Sequence, residues 1–207
     1  QIQPVEIYSR FSDFDIDLFK AGKHYKLYEK LGSHTIEYKG TTGTYFAVWA
    51  PNAKKISVVG NFNGWNPHSH ELFVRWDESG IWEGVIFNIG IGELYKYSIE
   101  THQGDILEKS DPFALVLEVP PKTASMVSTT WYQWKDEKWM RNRNEHNRLD
   151  RPFAVYELHI GSWVRDPNDP ERLLTYREIA EKLVPYVKSM GFTHVELMPI
   201  MEHPYYP

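Results

Sequence analysis

The 207-residue sequence contains no cysteine, which excludes disulfide bonds, thiolate metal ligands and thiol nucleophiles. A chain free of cysteine is compatible with a reducing compartment, and we expect the protein to be cytoplasmic. The sequence also lacks any apolar run of the roughly 20 residues that a membrane-spanning helix needs, and no apolar signal-peptide core stands near its beginning. We therefore predict no membrane partner.

Basic residues are not in excess. Lys and Arg total 23 against 28 Asp and Glu, and the formal net charge is −5 at pH 7. Because binding to nucleic-acid phosphates needs clustered cations, we predict no nucleic-acid partner. The nine histidines show no metal-ligand spacing, so no metal site is predicted.

Aromatic residues, by contrast, are plentiful, with 8 Trp, 13 Tyr and 10 Phe. Aromatic side chains lie by default in cores and interfaces, and we assign about three quarters of these there. The remainder are candidates for flat platforms on which sugar rings stack.

Residues 36–130 predict an all-β, immunoglobulin-like sandwich. Short runs rich in Val, Ile and aromatics (TYFAVWA, KISVVG, ELFVRW, IWEGVIF and LYKYSIE) are separated by turns that contain Gly, Pro, Asn or Asp. Short strands at regular spacing with turn signals are typical of an antiparallel sandwich. In front of it, residues 1–35 predict a helical arm that packs on a neighbouring part, with Ser12 as the N-cap of its first helix.

The polar residues 131–152 predict a linker between two domains. This stretch is short of aliphatic residues and ends at an Arg-Pro pair. Three tryptophans are expected to anchor it against one or both domains: Trp131, Trp134 and Trp139.

Residues 153–207 predict one strand–helix–strand unit, read from FAVYELHI, TYREIAEKLVPYVKSM and THVELMPI. Thr175 and Glu178 form a capping box at the start of the helix, and Gly191 stands where a left-handed C-cap belongs. Pro185 predicts a kink within the helix. A helix of this length between two strands indicates a parallel pair joined by a right-handed crossover.

Such a unit cannot bury both faces of its strands by itself. Residues 153–207 are far fewer than the roughly 250 of a complete barrel of such units. Either the unit docks on the preceding domain, or the chain is a piece of a longer protein, which we favour. The fold class that we predict is therefore multi-domain, with the sandwich followed by the first β-α-β unit of a truncated TIM-type barrel.

Trp65 lies in the loop sequence VGNFNGWN, which is rich in Gly and Asn. An exposed indole there offers a flat apolar face that suits stacking on a sugar ring. The alternative is that Trp65 folds back over the edge of the sheet, and the residue chemistry favours neither.

Two segments of the predicted sandwich carry a resemblance to a known family. AVWAPNAKKISVVGNFNGWN, followed by GELYKYSIE, resembles the glucan-binding β-sandwich module found in front of starch- and glycogen-modifying enzymes. The resemblance implies that Trp65 stacks on glucose and that Lys96 lines the same face. Some of these modules carry a second Trp where this sequence reads His102–Asp105, so a mainly structural role is the alternative for this sandwich.

The last part of the chain carries a second resemblance. YELHIGSWVR and TYREIAEKLVPYVKSMGFTHVELMPIMEHP resemble the start of the catalytic barrel of glycogen branching enzymes in the α-amylase superfamily. This implies an α-glucan partner and a retaining transglycosylation that forms α-1,6 branches without a cofactor. A debranching or trehalose-releasing relative and a non-catalytic glucan-binding module are the alternatives. Oligomeric state is not predicted.

Three carboxylates invite a catalytic interpretation: Glu157, Glu196 and Glu202. A retaining glycosidase needs two carboxyl groups about 5 Å apart, and neighbouring strands lie about 4.8 Å apart. The favoured alternative is interior charges held by partners such as His159 or arginines outside this chain. The resemblance implies that the catalytic carboxylates lie beyond Pro207, so no catalytic residue is assigned and the chain alone is expected to be inactive.

His159 and His203 are predicted at the carboxyl ends of the two strands, where barrels of this type keep their active sites. They are candidates for substrate contact, with a loop-bracing hydrogen bond as the alternative. Tyr205 and Tyr206 begin the next loop, which the resemblance associates with substrate binding, and Tyr205 is the candidate.

Overall fold

The computed structural model describes residues 4–201 of the chain. These residues form two compact units, which divide between Tyr132 and Gln133. Four residues named above, Glu202, His203, Tyr205 and Tyr206, lie outside the described residues. Within residues 4–201, none of the helices has the length and apolar character to cross a bilayer, and no group of three or more His, Asp and Glu side chains could hold a metal ion.

The first unit is a two-sheet sandwich preceded by a short helix. Its elements, in chain order, are α1 (Asp13–Lys20), β1 (Gly32–Tyr38), β2 (Thr41–Trp49), β3 (Ala53–Gly60), β4 (Phe73–Val74), β5 (Ile81–Phe87), β6 (Leu94–Thr101), β7 (Ile106–Lys109), β8 (Val116–Leu117) and β9 (Ser125–Met126). One sheet has the strand order β1-β2-β5-β4, and the other has β3-β6-β9-β8 with β7 paired to β6. All of these pairs are antiparallel, as the sequence predicted.

Alternating side chains from the two sheets form the core between them. Ile56 and Val58 of β3 and Tyr95 and Tyr97 of β6 are at most 1% exposed and pack against Phe46 of β2. Since successive residues of a strand point to opposite faces, the residues between them belong to the outer face of the second sheet. That outer face carries the candidate site described below.

The N-terminal segment covers the outer face of the first sheet. Phe11, Ile16 and Leu31 are buried against Tyr45 of β2 and Val85 of β5. The predicted packing of the arm on a neighbour is thus confirmed. Six consecutive residues of β2 are buried, so its burial does not alternate, because one face meets the sandwich core and the other meets the arm.

Local signals at the start of α1 behave as the sequence predicted. Ser12 is the N-cap, and its hydroxyl accepts a hydrogen bond from the Asp15 amide while the Asp15 carboxylate accepts one from the Ser12 amide.

The predicted strand ELFVRW is shorter in the structure than in the sequence pattern. It contributes only the two residues of β4, and Trp76 at its end is 83% exposed.

The second unit is a parallel strand pair with a helix between the strands. Its elements are α2 (Glu137–His146), β10 (Val155–Leu158), α3 (Ile160–Trp163), α4 (Tyr176–Ser189) and β11 (His194–Leu197). β10 and β11 are parallel, which confirms the predicted strand–helix–strand unit. Within residues 131–152, the predicted linker, α2 has no buried residue. The three tryptophans there are all at least 52% exposed, and their role as anchors stays a prediction.

Both ends of α4 carry the predicted signals. Thr175 and Glu178 form the capping box, and the hydrogen bond from Arg172 lowers the pKa of Glu178 to about 2. At the other end Gly191 has φ +79°, and the Phe192 amide donates to the Val187 carbonyl, which is a Schellman motif. The helix continues through Pro185.

One face of the strand pair is covered by α4 and the other is not. Leu158 of β10 is 5% exposed and packs against Ile179, Leu183 and Val187 of α4. The alternate residues Val155 and Glu157 of β10 are exposed, as are all four residues of β11.

Candidate functional site

The loop that carries Trp65 is held in one conformation by its own backbone. It begins at Gly60, passes through a 3-10 turn at Asn61–Asn63, and enters the left-handed region at Gly64 (φ +62°) and Trp65 (φ +59°). The Trp65 amide donates to the Gly60 carbonyl at 2.9 Å. The loop therefore closes on the end of β3 rather than extending away from it.

The indole of Trp65 is half-buried, so the structure lies between the two alternatives of full exposure and folding back. Its Nε1–H donates to Asn61 Oδ1 at 2.9 Å within the same loop. Since the one polar group of the ring already has a partner, the part of Trp65 that remains for a ligand is its apolar face.

Asn63 braces the same loop through three hydrogen bonds. Its Oδ1 accepts from the Gly60 amide at 3.0 Å, and its Nδ2 donates to the Val58 carbonyl and to His70 Nδ1, each at 2.9 Å. Burial lowers the pKa of His70, which favours the neutral ring whose Nδ1 can accept. Sequence analysis did not single out Asn63 or His70, although the asparagines that flank Phe62 were a visible signal of a braced turn.

Lys96 lies on the outer face of the second sheet, near the start of this loop. The register of β3 and β6 pairs Lys96 with Val59 and Tyr95 with Gly60, so Lys96 is next to the pair at which the loop begins. Its side chain is 19% exposed, and its Nζ lies 3.8 Å from Glu108 Oε2 of β7. The structure thus brings Lys96 and the Trp65 loop to the same end of one sheet.

In the second unit, His159 follows β10 at its carboxyl end and is the N-cap residue of α3. It lines a cavity of about 890 Å³ together with Ser162, Thr175, Pro199 and Ile200, and the last two follow β11. The His159 ring is exposed, and its Nδ1 lies 2.8 Å from Ser162 Oγ. The loop-bracing contact that was the alternative to substrate contact is therefore present.

Glu157 and Glu196 are directly opposite each other in the parallel register of β10 and β11. Both are exposed, and neither carboxylate has a hydrogen-bond or ion-pair partner among residues 4–201. His159 contacts Ser162 instead, so the suggestion that it holds these carboxylates is wrong. The register thus places two exposed carboxylates side by side on the strand pair.

Comparison with known families identifies the first unit. Residues 30–114 match the family model of carbohydrate-binding module 48, the isoamylase N-terminal domain. The match shows that the sandwich is similar to this family of modules. The match begins just ahead of β1, inside the predicted arm, and includes both Trp65 and Lys96.

The whole chain is similar to the N-terminal region of curated branching enzymes. It is 46% identical over 218 residues to the 1,4-alpha-glucan branching enzyme GlgB of Trichormus variabilis, covering 95% of this chain and 28% of the relative. The enzyme of the same name from Aquifex aeolicus is 49% identical over 199 residues, with 96% of this chain and 31% of the relative covered. The chain thus spans less than a third of the length of these relatives.

Solved structures show the same fold. The catalytic module of SpuA, a glycogen-degrading virulence factor of pneumococcus, superposes with a TM-score of 0.54 at 21% identity, covering 84% of this chain and 27% of that chain. At this identity the likeness concerns the fold alone.

Proposed function

We propose that this chain is the N-terminal part of an enzyme that forms α-1,6 branches in an α-1,4-glucan. The observation that carries the proposal is the 46–49% identity to branching enzymes along 95–96% of the chain, sandwich and strand–helix–strand unit together. An unrelated binding protein that merely shared the sandwich would match over residues 30–114 and diverge afterwards.

In this proposal the complete protein performs a retaining transglycosylation. A carboxylate attacks the anomeric carbon of an α-1,4 linkage to give a covalent glycosyl-enzyme, while a general acid protonates the departing 4-hydroxyl of the other fragment. The 6-hydroxyl of an acceptor sugar then attacks that carbon, gives its proton to the same group acting as a base, and releases the carboxylate. The carboxylates for these steps belong to later strands of a barrel of which β10, α4 and β11 are the first unit. The uncovered face of β10 and β11, with Glu157 opposite Glu196, supports this placement.

We also propose that the sandwich contacts the glucan through Trp65 and Lys96. The braced loop holds the indole with its polar edge already satisfied, which leaves a flat apolar face for a sugar ring. Lys96 contributes hydrogen-bond donors at the same end of the sheet. His159, His203 and Tyr205 remain predicted substrate contacts of the second unit, and cytoplasmic location remains a prediction.

The reaction is tested by incubating the complete protein with a linear α-1,4-glucan and determining the linkages of the product by proton NMR. We expect α-1,6 linkages to appear while the number of reducing ends stays nearly constant. Loss of α-1,6 linkages from a branched substrate would identify a debranching enzyme, and release of trehalose would identify the trehalose-forming relative. A protein that changes no linkage would contradict the proposal and leave a binding module.

Glucan contact is tested by affinity electrophoresis of the 207-residue chain in gels that contain glycogen. Truncation of a tryptophan that anchors an interface costs about 2 kcal/mol or more, so Trp65→Ala should weaken binding about 30-fold. The matched control is Trp76→Ala, which removes an indole that is 83% exposed in another turn of the same unit. Equal retardation of both variants and the unaltered chain would show that Trp65 does not bind glucan.

A further inference from the structure

A small cavity lies on the outer face of the second sheet, beyond Lys96 along β6. Its volume is about 80 Å³. Its floor is formed by Ser57 of β3 and Ser98 of β6, which are register partners on neighbouring strands. Both serines are only 4% exposed, so these two hydroxyl groups lie side by side at the bottom of the cavity.

The two hydroxyl groups have no hydrogen-bond partner in the described part of the chain. Neither Ser57 Oγ nor Ser98 Oγ makes a hydrogen bond with any group in residues 4–201. Within the same residues, no side-chain oxygen or nitrogen that is sealed from solvent lacks a partner. Both Oγ atoms must therefore open into the cavity, because a sealed and unpaired hydroxyl would be costly and none is present.

Each carboxylate in the wall of the cavity is paired with a lysine. Lys55 and Glu71 both line the cavity, and Lys55 Nζ lies 3.2 Å from Glu71 Oε2. Glu100 also lines it and is paired at 2.6 Å with Lys54, which is not a lining residue. Because both wall carboxylates are paired, neither is left to attract a cation. Carboxylates, ammonium groups and hydroxyls together offer acceptors and donors at close range, which suits a neutral ligand with many hydroxyl groups.

The cavity is continuous with the loop that carries Trp65. Pro67 and His68, which follow Trp65 by two and three residues, form part of its wall. On its floor, Ser98 follows Lys96 by two residues on β6 and therefore shares its face. A chain of sugar units that began on Trp65 and passed Lys96 would reach the cavity without leaving this face.

We propose that this cavity, named here the serine groove, is a further α-glucan subsite that binds the hydroxyl edge of one glucosyl unit through Ser57 and Ser98. The assignment rests on the proposed glucan contact at Trp65. It implies that long linear glucans bind the sandwich more tightly than short ones, because only a long chain spans both places.

The test compares maltotriose with maltoheptaose by isothermal titration calorimetry on the 207-residue chain. Replacing both serines, S57A with S98A, removes two hydrogen bonds and should raise the Kd of maltoheptaose about tenfold while leaving the Kd of maltotriose unchanged. A second variant, Glu71→Gln, alters a half-exposed side chain at the rim and avoids the sheet floor. It should raise the Kd of maltoheptaose about threefold, and Glu6→Gln, which alters an ion pair with Lys39 outside the groove, should not.

The possible outcomes separate this proposal from the one on which it rests. If Trp65→Ala weakens both ligands and the groove variants leave maltoheptaose unaffected, the serine groove is not a subsite and the Trp65 contact stands. If neither ligand binds the unaltered chain, both proposals fail. Selective weakening of maltoheptaose by the groove variants, with unchanged urea midpoints, supports the groove.

Discussion

Replacing Ile16 by alanine should destabilise the whole sandwich, although Ile16 lies on the short helix α1 ahead of the sheets. The Ile16 side chain is 4% exposed and packs among Phe11, Leu31 and Tyr45 on the outer face of the first sheet. Truncation of a buried isoleucine to alanine costs about 2–4 kcal/mol, since transfer energy is lost and a cavity remains. With a urea m-value of about 2 kcal/mol/M, the midpoint of the first unit should fall by about 1–2 M.

The assay must report on the sandwich and not on the helix alone. Native-state hydrogen exchange of the amides of β2 and β5 does this, because these strands form the centre of the first sheet. The matched control is Phe14→Ala on the same helix, where the side chain is 69% exposed. The control should change the free energy of unfolding by no more than about 0.5 kcal/mol.

The reasoning would be refuted if Ile16→Ala left the exchange of β2 and β5 unchanged and merely accelerated exchange within α1. The arm would then be an appendage that frays independently, and the continuous burial of β2 would not depend on it.

Two further predictions concern the loop and the pH dependence of stability. In the Trp65 loop, Gly60→Ala should lower the urea midpoint more than Gly64→Ala. A Cβ at Gly60 would overlap the Leu94 carbonyl and the Phe62 ring. A Cβ at Gly64 would meet no atom within 4 Å, so only the left-handed backbone of Gly64 disfavours alanine there. For pH, burial acts to raise the pKa of Asp15, but hydrogen bonds from Ser12, Lys30 and His24 outweigh it and hold the pKa below its usual range. Because the folded-state pKa is lowered, the Asp15 carboxylate contributes stability that is present above about pH 4 and is lost as the pH falls towards the folded-state pKa. Urea titrations should therefore show that the difference in free energy of unfolding between Asp15→Asn and the unaltered chain is smaller at pH 2 than at pH 7.

Much of the local structure could be predicted from the sequence, since short-range patterns determine it. The capping box at Thr175 and Glu178 and the left-handed Gly191 involve residues within one turn of each helix end. At the start of β6 the alternation of buried and less buried residues likewise follows from period-two patterning. Trp65 and Lys96 could be singled out because their motifs are short and contiguous.

Other features depended on segments that are distant in sequence. The period-two pattern predicts one buried face for β2, but the arm covers the second face, and no local signal in β2 reports that contact. The tryptophans of residues 131–152 were predicted as anchors from their apolar character, yet they are exposed, because burial requires a complementary surface that composition cannot reveal.

The sequence by itself determined the kinds of element, their order and the residues at their ends, because hydrogen-bonded caps and side-chain periodicity act over a few residues. Only the tertiary structure decided which hydroxyl groups meet. Ser57 and Ser98 lie 41 positions apart in the sequence and look like ordinary strand residues. The register of β3 and β6 places them side by side, with no hydrogen-bond partner for either hydroxyl among residues 4–201. Pairing between strands so distant in the chain is a property of the folded sheet.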